Sequence, residues 1–326
     1  MVFARKEIIG EDAVEFGKEK TALEKIAALK DDHLVQIKKT YQLGDKFNIL
    51  FPCARTNLFE YLRDTKWLAP QHVPISRNPI WEQVLGITKA LGKIINFPDP
   101  DEPDNVIFGY HLDLKPQNIL IDNSGPSHRD VFKITDFGQT RFVEQGFAMT
   151  SRIHGAGGTD IYAPPEYLEN EQDRAYDVWS LGIIVMEVLA YAVRGVDGLL
   201  DAEKGLDNVR FTREKGHSHS RFYAGSGSGA IVKPRIVEWK DALLQDPMLQ
   251  DKDSQQFVQK LLVLIMRMLE PQMKRRIAID KVVEEMAEIF QMKVTNDDGV
   301  TAESLKQKDE KVLVDLKSFS LEESSS

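Results

Sequence analysis

Between Tyr110 and Leu120 the chain reads YHLDLKPQNIL, and within six residues it sets an acid, Asp113, a cation, Lys115, and an amide, Asn118. A loop that only turns the chain asks for Gly, Pro, Asn or Asp and has no need of this spacing. A site that moves a phosphoryl group needs all three. It requires an acceptor for a hydroxyl proton, a cation near the transferring phosphate, and an oxygen ligand for Mg²⁺. A second acid of the right kind follows: Asp136, in ITDFGQT, comes directly after a strand-like run. Alone, Asp-Phe-Gly fits an ordinary Asx turn. Downstream of the first loop it supplies a metal ligand beside Asn118, while Asp113 takes the hydroxyl proton. Gly138 leaves the backbone free to swing there.

Bulk properties narrow the setting. At 326 residues the chain is long enough for two lobes with cores of their own. A formal net charge of −9 argues against nucleic acid as a partner, because phosphate backbones call for a basic surface. Cys53 is the only cysteine, so no intrachain disulfide can form, and an intracellular setting, cytoplasmic or nuclear, is expected. The opening MVFARKEIIG has no apolar signal core. The most apolar run, LGIIVMEVLAYAV, is interrupted by Glu187 and reads as a buried helix, so no membrane partner is expected.

Patterning orders the elements. VFARKEI alternates as a strand, with Val2, Ala4, Lys6 and Ile8 on one face. Residues 11 to 29 read as a helix that starts at Glu11 and Asp12, with Phe16, Glu19, Leu23 and Ile26 on one stripe. Lys6 and Glu19 are thus two charges on inward faces. The strands LVQIKKTYQL and KFNILF join at Gly44-Asp45, NLFEYL is a short helix, and residues 80 to 97 form a longer one. NILID and VFKIT are strands, and residues from 170 onward are helical apart from a Gly-, Ser- and His-rich insertion at about 195–230, expected to be mobile. From residue 293 the chain turns polar, as a disordered tail does. Strands come first and helices after, which suggests segregated lobes.

Taken in order, these motifs resemble the signature set of the eukaryotic-type protein kinase family. ARK is similar to the strand motif whose lysine grips the α- and β-phosphates, which implies that role for Lys6 with Glu19 as its helix partner. HLDLKPQN resembles the catalytic loop, DFG the metal loop, GTDIYAPPEYL the end of the activation segment, and DVWSLG the start of the helix that braces the catalytic loop. Arg275, in LEPQMKRR, resembles the late arginine that pairs with Glu166. The resemblance implies ATP and Mg²⁺ as cofactors. It makes Leu50 the gatekeeper, gives backbone groups of Phe51 and Cys53 to adenine, and sandwiches the ring between Ala4 and Leu120. Lys115 within DLKPQN is the Ser/Thr-kinase variant. The insertion followed by VKPRIVEWKDAL is reminiscent of kinases of filamentous fungi.

Three departures stand out. Only five residues precede Lys6, where the family's Gly-rich loop belongs; Leu112 replaces the arginine before the catalytic Asp; and Phe51 replaces the common hinge acid. Other residues have plainer readings. His111 resembles a packed structural histidine, His217 and His219 read as loop filler rather than a metal pair, and Trp179 is core. Thr150 and Ser151 are candidate phosphorylation sites, whereas Thr159 is expected to bond Asp113 and Lys115. The expectation is an α+β, bilobal kinase-like fold over residues 1–292, with a partial small lobe at 1–52 and a helical lobe at 53–292. It would transfer the γ-phosphoryl of Mg-ATP to protein Ser/Thr hydroxyls. A pseudokinase scaffold, an incomplete piece of a longer kinase, and a small-molecule kinase are the alternatives.

Overall fold

A hydrogen-bonded ladder of three strands begins the molecule. In this computed structural model, residues 2–9, 13–65, 74–98, 106–124, 129–144, 161–169, 174–214 and 217–291 are described. β1 (Phe3–Ile9) is followed by α1 (Ala13–Ala28), β2 (Lys39–Leu43) and β3 (Lys46–Pro52), and the sheet order is β1-β3-β2, antiparallel throughout. The β2–β3 hairpin turns at Gly44, whose φ of 63° lies in the left-handed region that glycine enters without strain. The second expected strand was LVQIKKTYQL, but only its last five residues pair as β2. Leu34 instead makes a single parallel bridge to Ile134, and its complete burial pulls the chain off the sheet. α1 lies across the sheet with Ala22, Leu23 and Ile26 buried, and Phe16 stacks on Phe47 of β3 at 4.4 Å.

The next elements are β4 (Thr56–Asn57), α2 (Leu58–Arg63), α3 (Ile80–Ile95), β5 (Asn96–Pro98), β6 (Val106–Tyr110), β7 (Ile119–Asp122), β8 (Val131–Ile134) and β9 (Arg141–Glu144). Asn57 caps α2, its side chain accepting from the Glu60 N–H at 3.0 Å. α3 ends two residues earlier than its periodicity suggests, because Asn96–Pro98 pair with β6. Two small sheets result, β4-β7-β8 and β5-β6-β9. β6 and β7 flank the 110–120 loop, and β8 and β9 flank Asp136.

The helical half contains α4 (Tyr176–Arg194), α5 (Asp197–Leu200), α6 (Leu206–Arg210), β10 (Thr212–Glu214), β11 (His217–His219), β12 (Tyr223–Ala224), β13 (Ile231–Val232), α7 (Pro234–Leu243), α8 (Lys252–Met268) and α9 (Ile279–Phe290). α4 is long and apolar enough to cross a membrane by composition, yet its window is buried throughout, with Trp179 in its first turn fully buried. The interrupting Glu187 is fully buried and ion-paired. The insertion at 195–230 is not the loose loop expected. Leu199, Leu206, Val209, Phe222 and Tyr223 are buried in the main core, so the apolar residues scattered among its glycines and serines anchor it. His217 and His219 lie on β11, paired with β10. Among the described residues no group of three or more His, Cys, Asp or Glu could hold a metal. Residues 1–290 form one compact unit, and Thr150, Ser151, Arg152, Thr159 and the polar tail from 293 lie outside the described residues.

Candidate active site

The 110–120 loop is fixed from below by one buried acid. Asp177, at the start of α4, accepts from the His111 N–H at 2.7 Å and from the Leu112 N–H at 2.9 Å. That bidentate hold keeps Leu112 at φ 66°, a left-handed conformation uncommon for a branched side chain. Burial pushes the Asp177 carboxyl up, against the pull of His111 and the two N–H donors. His111 itself is completely buried, its Nε2 lies 3.0 Å from the Thr135 carbonyl, and its ring meets Phe137 edge-on. It is the packed structural histidine that the sequence suggests.

From this base the functional side chains project together. Lys115 Nζ reaches Asp113 Oδ2 at 2.7 Å, and Asn118 Nδ2 donates to the Asp113 carbonyl at 2.8 Å and to its Oδ2 at 3.0 Å. A 3-10 turn over Pro116–Asn118, with Pro at its first position, sets the spacing. The Thr135 N–H donates to the Asn118 carbonyl at 3.0 Å. Residue 135 is thus tied to the loop at both His111 and Asn118, which brings Asp136 to the same cleft. Asp136 is left-handed at φ 63°, its side chain 40% exposed.

The third component comes from the first sheet. Lys6 Nζ bonds Glu19 Oε1 at 2.7 Å and Asp136 Oδ1 at 2.9 Å, so the two odd inward charges of the sequence meet as expected, on the metal loop. Burial works against the charge on Lys6, but the Glu19 bond and the charges of Asp136 and Glu19 outweigh it and raise its pKa. Burial likewise works against ionised Asp136, and the Lys6 charge and bond outweigh it and lower its pKa. Both shifts favour the ionised pair. Its contribution is present above the ordinary carboxyl value of 3.8 and below the ordinary lysine value of 10.5, and is lost only beyond those limits. A Cβ at Gly138 would stand 3.6 Å from both Asp136 Oδ1 and Glu19 Oε2, so α1 packs closely over this turn.

Three of the residues assigned by resemblance sit elsewhere than expected. Leu50 is opposite Arg5, while Ile49 and Phe51 are opposite Lys6 and Ala4. Directly opposed residues share a face, so Ile49 and Phe51, not Leu50, stand on the Lys6 face of the sheet; a shift of one residue in a strand reverses every side chain. The Cys53 N–H, expected to meet adenine, donates to the Val2 carbonyl at 3.2 Å. By the alternation of an antiparallel ladder, the backbone groups of Phe51 also turn toward β1. Arg275 is exposed, and it is Arg276 that clamps Glu166, at 2.6 and 2.9 Å, while lying over the Trp179 ring. The turn Met273–Arg275 ends at residue 276, where extended backbone points the side chain inward. Ala4 is exposed on the Lys6 face of β1, and Leu120 is half-buried on β7, in a different sheet.

The donor set fits Mg²⁺. Asn118 spends its Nδ2 on Asp113, which leaves its amide oxygen, and Asp136 adds a carboxylate. Two all-oxygen protein ligands suit an ion that completes its shell with phosphates and water.

Residues 1–286 match the family model described as "Protein kinase domain", and the chain belongs to that family. It is similar to the serine/threonine-protein kinase TIO of Arabidopsis thaliana, 31% identical over 167 residues, which is 51% of this chain and 11% of that protein. CBL-interacting protein kinase 24 of Oryza sativa subsp. japonica is 37% identical over 83 residues, 25% of this chain and 17% of that protein. The serine/threonine-protein kinase dkf-1 of Caenorhabditis elegans is 38% identical over 81 residues, 24% of this chain and 10% of that protein. The matched stretches thus span under a fifth of the length of each of these relatives.

Proposed function

We propose that this chain is a serine/threonine protein kinase that transfers the γ-phosphoryl of Mg-ATP to hydroxyls of a protein substrate. The observation that carries the reading is the meeting of four separate segments: Lys6 of β1 with Glu19 of α1, Asp113 with Lys115 and Asn118 in one loop, and Asp136 of the next turn joined to Lys6. Lys6, held by Glu19, would orient the α- and β-phosphates. Asp136 and Asn118 would hold Mg²⁺, which when bound neutralises charge on the phosphates. Asp113 would orient the acceptor hydroxyl and take its proton, and Lys115 would face the charge developing on the moving phosphoryl group.

A pseudokinase reading draws support from the Val2–Cys53 bond, since a nucleotide using that N–H must first displace β1's first rung. Metal dependence separates the two. Asp136→Asn should lower transfer by at least about 10²-fold and abolish the gain in ATP affinity that Mg²⁺ gives over a chelator. Wild-type ATP binding that is indifferent to chelator, with no transfer, would favour the scaffold.

A further inference from the structure

α1 carries Glu19, and the helix is anchored a second time six residues further on. Lys25 Nζ lies 5.1 Å from the centroid of the Phe142 ring and 5.5 Å from that of Phe97. The two rings meet edge-on at 4.8 Å and 64°, with Phe97 3% exposed. Phe97 belongs to β5 and Phe142 to β9, the outer strands of the β5-β6-β9 sheet. They face Ile107 and Gly109 of β6, so both rings stand on one side of that sheet. At Gly109 a Cβ would come within 2.2 Å of the Ile94 carbonyl, so only glycine lets α3 close on the sheet at this point. Among the described residues Lys25 takes part in no ion pair. A half-buried ammonium with no carboxylate partner among the described residues, set between two aromatic rings, is held by their quadrupoles.

The position of that sheet gives the contact its meaning. β6 runs directly into His111 and the loop of Asp113, and β9 leaves directly from the turn of Asp136. Lys25 therefore ties α1 to the strand pair that carries both loops, while Glu19 ties the same helix to Lys6. Ala22 and Leu23, buried between the two charged anchors, do not fix the helix's rotation by themselves, since apolar contact is non-directional.

We infer that Lys25 is a positioning residue: through Phe97 and Phe142 it sets the rotation of α1 at which Glu19 meets Lys6. It touches neither nucleotide nor acceptor. The inference rests on the proposed kinase reading for its consequence in catalysis, and on geometry alone for its effect on α1.

Hydrogen exchange of the α1 amides and phosphoryl transfer, measured on the full chain, separate these. In Lys25→Gln the α1 amides should exchange about fivefold faster, the equilibrium worth of one such contact, with α4 unchanged as the folding control. Transfer should fall by a similar factor, through kcat/KM for ATP and not through KM for the protein acceptor. Lys25→Arg, which keeps a cation over the rings, should restore both. Phe142→Leu should match Lys25→Gln, and the double variant should be no worse than either single one. Unchanged α1 exchange in Lys25→Gln, an Arg variant as loose as the Gln variant, or additive effects in the double would each overturn the inference. The predicted α1 loosening in a protein with no wild-type transfer would leave the positioning role standing and contradict the kinase reading.

Discussion

Two ion-pair clusters in this molecule each join one Asp and one Glu to basic side chains at nearly the same distances. In one, Lys6 joins Glu19 and Asp136 at 2.7 and 2.9 Å; in the other, Arg210 joins Asp207 and Glu187 at 2.7 and 2.9 Å, with Arg63 also on Asp207 at 2.9 Å. They differ in their access to water. The side chains of Lys6 and Asp136 are each 40% exposed, whereas those of Glu187, Arg210 and Arg63 are 0%, 7% and 10%. Water screens the first cluster, so its pairings are weak enough to be exchanged for phosphate and metal. In the second, Glu187 and the two arginines are largely removed from water and only Asp207, 26% exposed, keeps contact with it; the Tyr162 hydroxyl, donating to Glu187 at 2.9 Å, covers the cluster toward the 161–169 segment. Burial raises the pKa of Glu187 against the pull of Arg210 and Arg63, the signature of a desolvated acid held for structure.

The largest effect expected from breaking this contrast is in the buried cluster. Glu187→Ala removes the fully buried one of Arg210's two acids, leaving it Asp207 alone, and should cost about 3 kcal/mol of stability, read by denaturant unfolding. Lys6→Met, in the open cluster, should cost no more than about 1 kcal/mol while removing transfer. Similar stability losses in the two variants would erase the distinction.

A smaller effect is expected where the 110–120 loop meets the start of α4. Leu112 packs with Tyr110, Ala163 and Tyr176, against Val143 and Tyr167, in a small core of its own. A leucine cannot pair with a phosphate, and here its apolar contacts brace Ala163 against the loop. Leu112→Ala should destabilise by about 2 kcal/mol, the low end for a buried leucine. Phosphatase treatment of the wild-type chain should leave its transfer rate unchanged. A large loss on treatment would show that a phosphate orders the segment after all.

The polar skeleton of the site was readable because its signals are local. Asp113, Lys115 and Asn118 lie in one loop, and Lys6 and Glu19 are each a charge at an apolar position of a regular pattern. What escaped the sequence depends on a single residue of register or on distant partners. Leu50 and Phe51 differ by one step in a strand, and Arg275 and Arg276 by one step at the end of a 3-10 turn; only pairing and backbone direction decide between them. The insertion's glycines and serines suggested looseness, and its buried leucines and aromatics outweigh them. Lys25 gave no signal, because Phe97 and Phe142 reach it from far along the chain.

Phosphoryl transfer from Mg-ATP to protein serine or threonine, followed by mass spectrometry for the wild type and Asp113→Asn side by side, tests the central claim most directly. On the proposed reading Asp113 would meet the acceptor hydroxyl, and Lys115 and Asn118 are arranged around it. The substitution should lower transfer by about 10²–10⁴, the usual worth of a general base, with ATP affinity and melting temperature unchanged. An Asp113→Asn protein that transfers phosphate as fast as the wild type would contradict the assignment of this cleft as the site of chemistry.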